Sequence, residues 1–115
     1  SNGDIEMKIA FDWQGTLDVH EELRAMAKSL QKAEWEVLIL SAMPINLPDY
    51  REKEIEAAQL GIPYKVVYHQ LEDYHKSAAL AKVAVMKEQN IPILVDDTFE
   101  VCKVVRDNGL KALKI

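Results

Sequence analysis

The chain has 115 residues, of which 49% are hydrophobic and 29% charged, a balance that fits one globular domain and excludes a disordered segment. Its single cysteine, Cys102, cannot form an internal disulfide, which favours a reducing compartment. No apolar run reaches the roughly 18 residues that a membrane-spanning helix needs. We therefore expect a cytoplasmic protein without a membrane anchor.

The N-terminus lacks the basic and apolar regions of a secretory signal. Residues 1–3 resemble the remnant of a removed tag, so the single domain is predicted to span residues 4–115. The formal net charge is -5, and the sequence contains no basic cluster of the kind that binds nucleic-acid backbones. Recognition of one phosphorylated end is still compatible with this charge.

Five short apolar runs alternate along the chain with four amphipathic stretches. The runs are predicted strands, and they cover residues 7–11, 36–40, 64–68, 91–95 and 110–115. The amphipathic stretches are predicted helices, and they cover about 19–33, 49–60, 76–89 and 98–108. Such alternation predicts a three-layer α/β/α sandwich around a five-stranded parallel sheet with right-handed crossovers.

Polar residues follow three of the five predicted strands. Asp12 follows the first strand, Ser41 the second, and the pair Asp96-Asp97 the fourth. In parallel sheets, ligands bind at the carboxyl ends of the strands. Carboxylates that converge there repel one another unless a cation joins them, and their hard oxygens suit Mg²⁺. In such a site one carboxylate can attack phosphorus while a hydroxyl and an ammonium hold the phosphate.

The ammonium is expected from the helix that precedes the fourth strand. Lys76 and Lys82 both lie on this predicted helix. We favour Lys76, because the side chain of Lys82 starts about 9 Å farther from the helix start and the strand ends. Lys82 is the alternative.

These motifs together resemble those of the haloacid dehalogenase-like superfamily over essentially the whole chain. The resemblance rests on Asp12-Trp13-Gln14-Gly15-Thr16-Leu17, followed in order by Ser41, a lysine and Asp96-Asp97. It implies a Rossmann-like sheet of order 5-4-1-2-3, and a Mg²⁺-dependent phosphohydrolase or phosphotransferase that works through an aspartyl-phosphate.

The resemblance also implies a role for each motif residue. Asp12 would be the nucleophile. The metal would be held by Asp12, the backbone carbonyl of Gln14 and Asp96, with Asp97 helping directly or through water. Phosphate would be bound by Thr16, Ser41 and the motif lysine, for which Lys76 is preferred to Lys82.

Gln14 departs from the pattern of the superfamily's phosphatases, which normally carry a second aspartate at this position. That aspartate protonates the leaving group and later activates water, and a glutamine amide cannot do either. We therefore expect slow hydrolysis, unless His20, His69 or His75 supplies the acid. The same departure favours an alternative, a non-catalytic module that binds metal and phosphate.

The intervals between the motifs leave no room for a cap domain. The site should therefore be open, which suits a large phosphorylated substrate such as a phosphoprotein or a nucleic-acid end. A phosphate-accepting response-regulator domain is disfavoured, because its acidic pair normally follows the first strand, whereas here the pair follows the fourth.

Three further side chains are interpreted structurally. Trp13 is expected to be a packing or flap residue and not a platform for substrate, and His69 and His75 are expected on the surface. The stretch 51–54, Arg-Glu-Lys-Glu, is typical of a solvated helix face.

Overall fold

A computed structural model describes residues 7–48 and 50–115. The predicted tag remnant and the predicted start of the domain at residue 4 lie outside this part of the chain. The five strands are β1 (Lys8–Phe11), β2 (Glu36–Pro44), β3 (Tyr64–His69), β4 (Ile93–Asp96) and β5 (Lys111–Lys114). The four α-helices are α1 (Glu21–Lys32), α2 (Arg51–Ala58), α3 (Tyr74–Gln89) and α4 (Phe99–Asp107), and a π-helical turn, Trp13–Leu17, follows β1.

The five strands form one parallel sheet of order β3-β2-β1-β4-β5. This order is the predicted 5-4-1-2-3 read from the opposite edge, so the predicted Rossmann-like α/β fold is confirmed. β1 lies in the centre, hydrogen-bonded to β2 on one side and to β4 on the other. The residues that follow β1 and β4 therefore meet at one edge of the sheet.

The helices cover the two faces of the sheet in pairs. Side chains alternate along each strand, so Ile9 and Phe11 face one layer while Ala10 faces the other. The first layer contains α1 and α2, and the second contains α3 and α4. Each fully buried Leu, Ile or Phe side chain contributes roughly 1.5–3 kcal/mol to such a core.

Two elements extend by two or more residues beyond their predicted bounds. β2 continues through Pro44 instead of ending near Leu40, because it stays paired with β3 as far as Pro44 opposite His69. α3 begins at Tyr74, two residues before its predicted start. Ser41 consequently lies inside a strand, and α3 begins beyond the carboxyl edge of the sheet.

α3, the longest helix at 16 residues, packs through one face on the sheet and exposes the other. Within the described residues, no helix combines the length and the apolar character needed to cross a bilayer.

Candidate active site

A buried lysine joins the ends of β1 and β4. The Nζ atom of Lys82 donates to Oδ1 of Asp12 at 2.7 Å and to Oδ2 of Asp96 at 2.9 Å. Lys82 is 3% exposed, Asp12 7% and Asp96 1%, so this ion triplet is largely shielded from solvent. The backbone of Asp12 is anchored to β4, since its N–H donates to the carbonyl of Val95 at 2.9 Å.

The placement of Lys82 corrects the preference for Lys76. From Gln89 back to Lys82 the helix covers about 10 Å, and from Ile93 to Asp96 the strand also covers about 10 Å, so these two side chains lie level. Lys76 lies about 9 Å farther along the axis, on the exposed part of α3 beyond the sheet edge. The middle of α3, and not its start, therefore lies level with the strand ends.

Burial and mutual attraction shift the proton affinities of the ion triplet. Burial raises the pKa of Asp12 above its usual range, against the attraction of Lys82, and the neighbouring carboxylate of Asp97 raises it further. Burial likewise raises the pKa of Asp96. Burial alone would lower the pKa of Lys82, but attraction to Asp12 and Asp96 outweighs it and raises that pKa. The ammonium therefore keeps its charge inside the protein.

Asp97 is the third carboxylate of the site, and it packs against the turn at Gly15 and Thr16. The hydroxyl of Thr16 donates to Oδ2 of Asp12 at 3.2 Å and approaches Oδ1 of Asp97 at 3.4 Å. Gly15 has φ +77°, and a Cβ atom there would lie 2.7 Å from Cγ of Asp97. Only glycine therefore allows both this backbone conformation and the close approach of Asp97.

The three aspartates have a donor set that fits Mg²⁺. Each of Asp12, Asp96 and Asp97 offers one carboxylate oxygen, and these oxygens lie within 4.8 Å of one another. Two of the three carboxylates are buried, and their mutual repulsion would be relieved by a cation. Hard oxygen ligands at this spacing suit Mg²⁺ better than a softer metal.

Arg51 is a site residue that sequence reasoning missed. The prediction of a solvated face for residues 51–54 is wrong for Arg51, which is 3% exposed. Its Nη1 donates to Oγ of Ser41 at 2.7 Å, and its Nη2 donates to Oε1 of Gln14 at 3.1 Å. A signal was present, because the first residue of a helix that follows β2 must start at the carboxyl edge of the sheet.

The predicted phosphate-binding hydroxyls are both buried. Ser41 and Thr16 have no exposed surface, and they contact Arg51 and Asp12, respectively. Ser41 points toward the α2 layer, because it occupies an interior position of β2 on the same face as Ile39. The structure therefore brings both hydroxyls to the site as supports for charged groups, and not to its open surface.

Glu54 forms an ion pair with Arg51. Oε1 of Glu54 lies 3.2 Å from Nε of Arg51 and accepts a hydrogen bond from Nε1 of Trp13 at 2.8 Å. Trp13 is 2% exposed and belongs to the core between the sheet and helices α1 and α2, in agreement with a packing role. Arg51 is thus fixed by contacts with β2, with the turn after β1 and with its own helix.

The three histidines occupy different positions. His69, expected on the surface, is 5% exposed at the end of β3, where its ring packs edge-to-face on Tyr74 with centroids 4.7 Å apart. Its Nδ1 lies 2.7 Å from the carbonyl oxygen of Gln70, whereas its buried Nε2 has no hydrogen-bond partner among the described residues. His75 is exposed, as predicted, and His20 is exposed just before α1.

These groups surround a cavity of about 380 Å³ at the carboxyl edge of the sheet. Its charged and polar lining includes Asp12, Gln14, Arg51, Lys82, Asp96 and Asp97. His69 and His75 line the same cavity. A larger hollow of about 490 Å³ near Lys8 and Trp35 lies at the opposite, amino edge, away from this chemistry. The smaller cavity is the candidate active site, because the charged groups converge there.

No family model and no curated protein matches this chain. Among solved structures, it is similar to a chain in a structure of the Pnkp1/Rnl/Hen1 RNA repair complex, with a TM-score of 0.69 and 16% identity. That match covers 96% of this chain and 42% of the other. A second structure of the Pnkp1/Rnl/Hen1 complex gives a TM-score of 0.65 and 19% identity over 96% of this chain and 46% of the other.

A protein of the universal stress protein family from Burkholderia pseudomallei is also similar, with a TM-score of 0.57 and 15% identity over 94% of both chains. At these identities the similarities show the Rossmann-like fold alone. This chain spans less than half the length of the two RNA repair chains that it matches.

Proposed function

We propose that this chain is a Mg²⁺-dependent phosphohydrolase or phosphotransferase of the haloacid dehalogenase-like type, in which Asp12 forms an aspartyl-phosphate. The observation that carries the proposal is the buried contact of Lys82 with both Asp12 and Asp96. It supports the proposal because it holds a carboxylate at the end of the central strand, in a cavity whose other groups suit a metal and a phosphate.

In the first step, one carboxylate oxygen of Asp12 attacks phosphorus. A bond forms between that oxygen and phosphorus, and the bond from phosphorus to the leaving oxygen breaks with its electron pair. Lys82 and Thr16 each contact one oxygen of Asp12 and thereby fix the direction of the carboxylate. In the second step, water attacks phosphorus and loses a proton to solvent. The bond from phosphorus to the Asp12 oxygen breaks, its electron pair returns to the carboxylate, and phosphate is released.

Asp12, Asp96, Asp97 and the backbone carbonyl of Gln14 are the groups that would hold the metal. Bound Mg²⁺ would neutralise the negative charge that gathers on the phosphoryl oxygens. The leaving oxygen needs a proton that Gln14 cannot give, so hydrolysis of phosphates with basic leaving groups should be slow. His69 and His75 are the histidines of the cavity lining that can exchange protons.

The substrate is proposed to be large. The described chain offers no cap over the cavity, and exposed Leu71, Tyr74 and Phe99 lie in the segments that follow β3 and β4 at its edge. Together with the fold similarity to a chain of an RNA repair complex, this makes phosphorylated oligonucleotide ends the first macromolecular substrates to compare with a phosphopeptide.

The proposed function is tested with nitrophenyl phosphate in the presence and absence of Mg²⁺. We expect Mg²⁺-dependent phosphate release that falls to background in Asp12→Asn, which keeps the shape of the side chain and removes the nucleophile. Asp107→Asn on the exposed side of α4 is the matched control and should keep full activity. Equal activities of wild type and Asp12→Asn would contradict the proposal.

The contact of Gln14 with Arg51 favours a second candidate, a non-catalytic module that binds metal and phosphate. Gln14→Asp distinguishes the two, because it supplies a group that can transfer a proton. For a slow enzyme, we expect this change to speed hydrolysis of an alkyl phosphate by about 10²-fold or more, the usual contribution of general acid–base catalysis. Hydrolysis of nitrophenyl phosphate should increase less, because its leaving group needs less protonation. A binding module should show no Asp12-dependent hydrolysis in either form.

A further inference from the structure

Arg51 is a buried cation to which the proposed mechanism assigns no role. It lines the cavity but is only 3% exposed. Burying a guanidinium is costly unless its charge and its N–H groups are compensated. The arrangement of its neighbours therefore indicates what else Arg51 contacts when the site is in use.

The charge of Arg51 is only partly compensated within the protein. Its two hydrogen-bond acceptors, the Ser41 hydroxyl and the Gln14 amide oxygen, are both neutral. The nearby carboxylate of Glu54 is 45% exposed, so solvent screens its attraction. Nε of Arg51 is buried and lacks a hydrogen bond of good geometry among the described residues. A fixed guanidinium with residual positive charge thus forms part of the cavity wall.

We propose that Arg51 is the anion-binding residue of this cavity and that Gln14 is its positioning residue. The ligand is a phosphoryl dianion, either of a phosphate monoester or of free inorganic phosphate. A guanidinium matches two phosphate oxygens with two parallel N–H groups, which a hydroxyl such as Ser41 cannot do. This inference rests on the proposed function for the kind of ligand, but it requires binding only and not turnover.

The proposal also explains why a glutamine at position 14 suits this cavity. A carboxylate in contact with Arg51 would pair with the guanidinium and cancel the charge that attracts phosphate. The amide oxygen of Gln14 accepts the same hydrogen bond at 3.1 Å without adding a negative charge. Gln14 therefore orients Arg51 and leaves its charge for the ligand.

The first test measures the binding of inorganic phosphate by calorimetry at saturating Mg²⁺. We expect Arg51→Gln to weaken phosphate binding by about 10-fold or more. Arg51→Lys keeps the charge but lacks the pair of parallel N–H groups, so its phosphate Kd should lie between those of the wild type and Arg51→Gln. Lys53→Gln removes one positive charge from an exposed position of the same helix and should change the Kd by less than about twofold. Equal effects of Arg51→Gln and Lys53→Gln would overturn the proposal.

The second test acts on Arg51 from an exposed neighbour, so it does not depend on the stability of Arg51 variants. Gln14→Glu keeps the length of the side chain and adds a charge beside the guanidinium. We expect the phosphate Kd to rise by about 10-fold. Where turnover is measurable, KM should rise even if the new carboxylate, which can transfer protons, also raises kcat. An unchanged Kd would overturn the positioning role.

The outcomes also separate this proposal from the proposed function. If phosphate binding depends on Arg51 but no variant shows Asp12-dependent hydrolysis, the anion site stands and the catalytic function fails. If hydrolysis requires Asp12 but neither Arg51→Gln nor Gln14→Glu changes phosphate binding, the catalytic function stands and the anion site fails. Absence of phosphate binding by the wild type at millimolar concentration would overturn the anion site directly.

Discussion

Lys82 is the residue whose removal should disturb the site most, because its ammonium separates two buried carboxylates. In Lys82→Met, Asp12 and Asp96 face each other without a cation. We expect the metal-free protein to lose about 3–5 kcal/mol of unfolding free energy at neutral pH, the usual cost of removing one partner from a buried ion pair. Urea unfolding followed by circular dichroism measures this loss.

Lys76→Met provides the matched control on the same helix. Lys76 lies on the exposed part of α3, so its replacement should change the unfolding free energy by less than about 0.5 kcal/mol. A larger loss from Lys76→Met than from Lys82→Met would contradict the assignment of Lys82 as the lysine of the site.

Single residues of the site differ in how far the sequence could predict them. Three site residues lie at strand ends: Asp12 directly follows β1, Asp96 ends β4, and Asp97 directly follows β4. Because the carboxyl ends of parallel strands meet at one edge of the sheet, the sequence was sufficient to predict that these residues lie together. Arg51 is separated from Gln14 by 37 positions, and its charged neighbours suggested a solvated helix face. Its burial depends on the tertiary contact of α2 with β2, which local periodicity does not contain.

At the scale of elements, the sequence predicted the type and order of the five strands and four α-helices, but not the length of β2 or the π-helical turn Trp13–Leu17. That strand continues to Pro44 because β3 pairs with it that far, a non-local contact that apolar runs do not reveal. The same limit explains the misplaced lysine. The position of α3 along its axis is set by packing of Ala79, Val83 and Met86 on the sheet, whereas the start of the helical pattern is a local property.

Adjacent residues of β2 should show unequal sensitivity, because they face different layers. Ile39 is fully buried against the α1 and α2 layer, whereas Leu38 is only partly buried against the α3 and α4 core. We expect Ile39→Ala to cost about 2–5 kcal/mol of unfolding free energy and Leu38→Ala distinctly less. Urea unfolding of both variants tests this order, and the reverse order would contradict the packing of β2.

The whole molecule carries an excess of negative charge, and so does the candidate active site. The formal net charge is -5, and the cavity gathers three aspartates beside Lys82 and Arg51. Without a metal, the carboxylates exceed these cations by one charge. A phosphate dianion would increase that excess, and the proposed Mg²⁺ would offset it.

The stabilisation by Mg²⁺ should therefore depend on pH. Burial raises the pKa of Asp12 and of Asp96 above the ordinary value of 3.8, so the folded protein binds these protons more tightly than the unfolded chain does. For the metal-free protein, these two groups make stability fall as the pH rises from 3.8 through their raised folded-state pKa values. Mg²⁺ binds the ionised carboxylates of the folded state and should offset this loss over the same window.

Thermal unfolding with and without millimolar Mg²⁺ measures this effect. We expect the increase in Tm caused by Mg²⁺ to be small near the ordinary carboxylate pKa and largest at neutral pH, where Asp12 and Asp96 are ionised. Asp96→Asn should remove most of the increase, because it deletes a proposed ligand, whereas Asp107→Asn on the exposed side of α4 should keep it. A Mg²⁺-induced increase that is independent of pH, or equal in Asp96→Asn and the wild type, would place the cation outside these carboxylates.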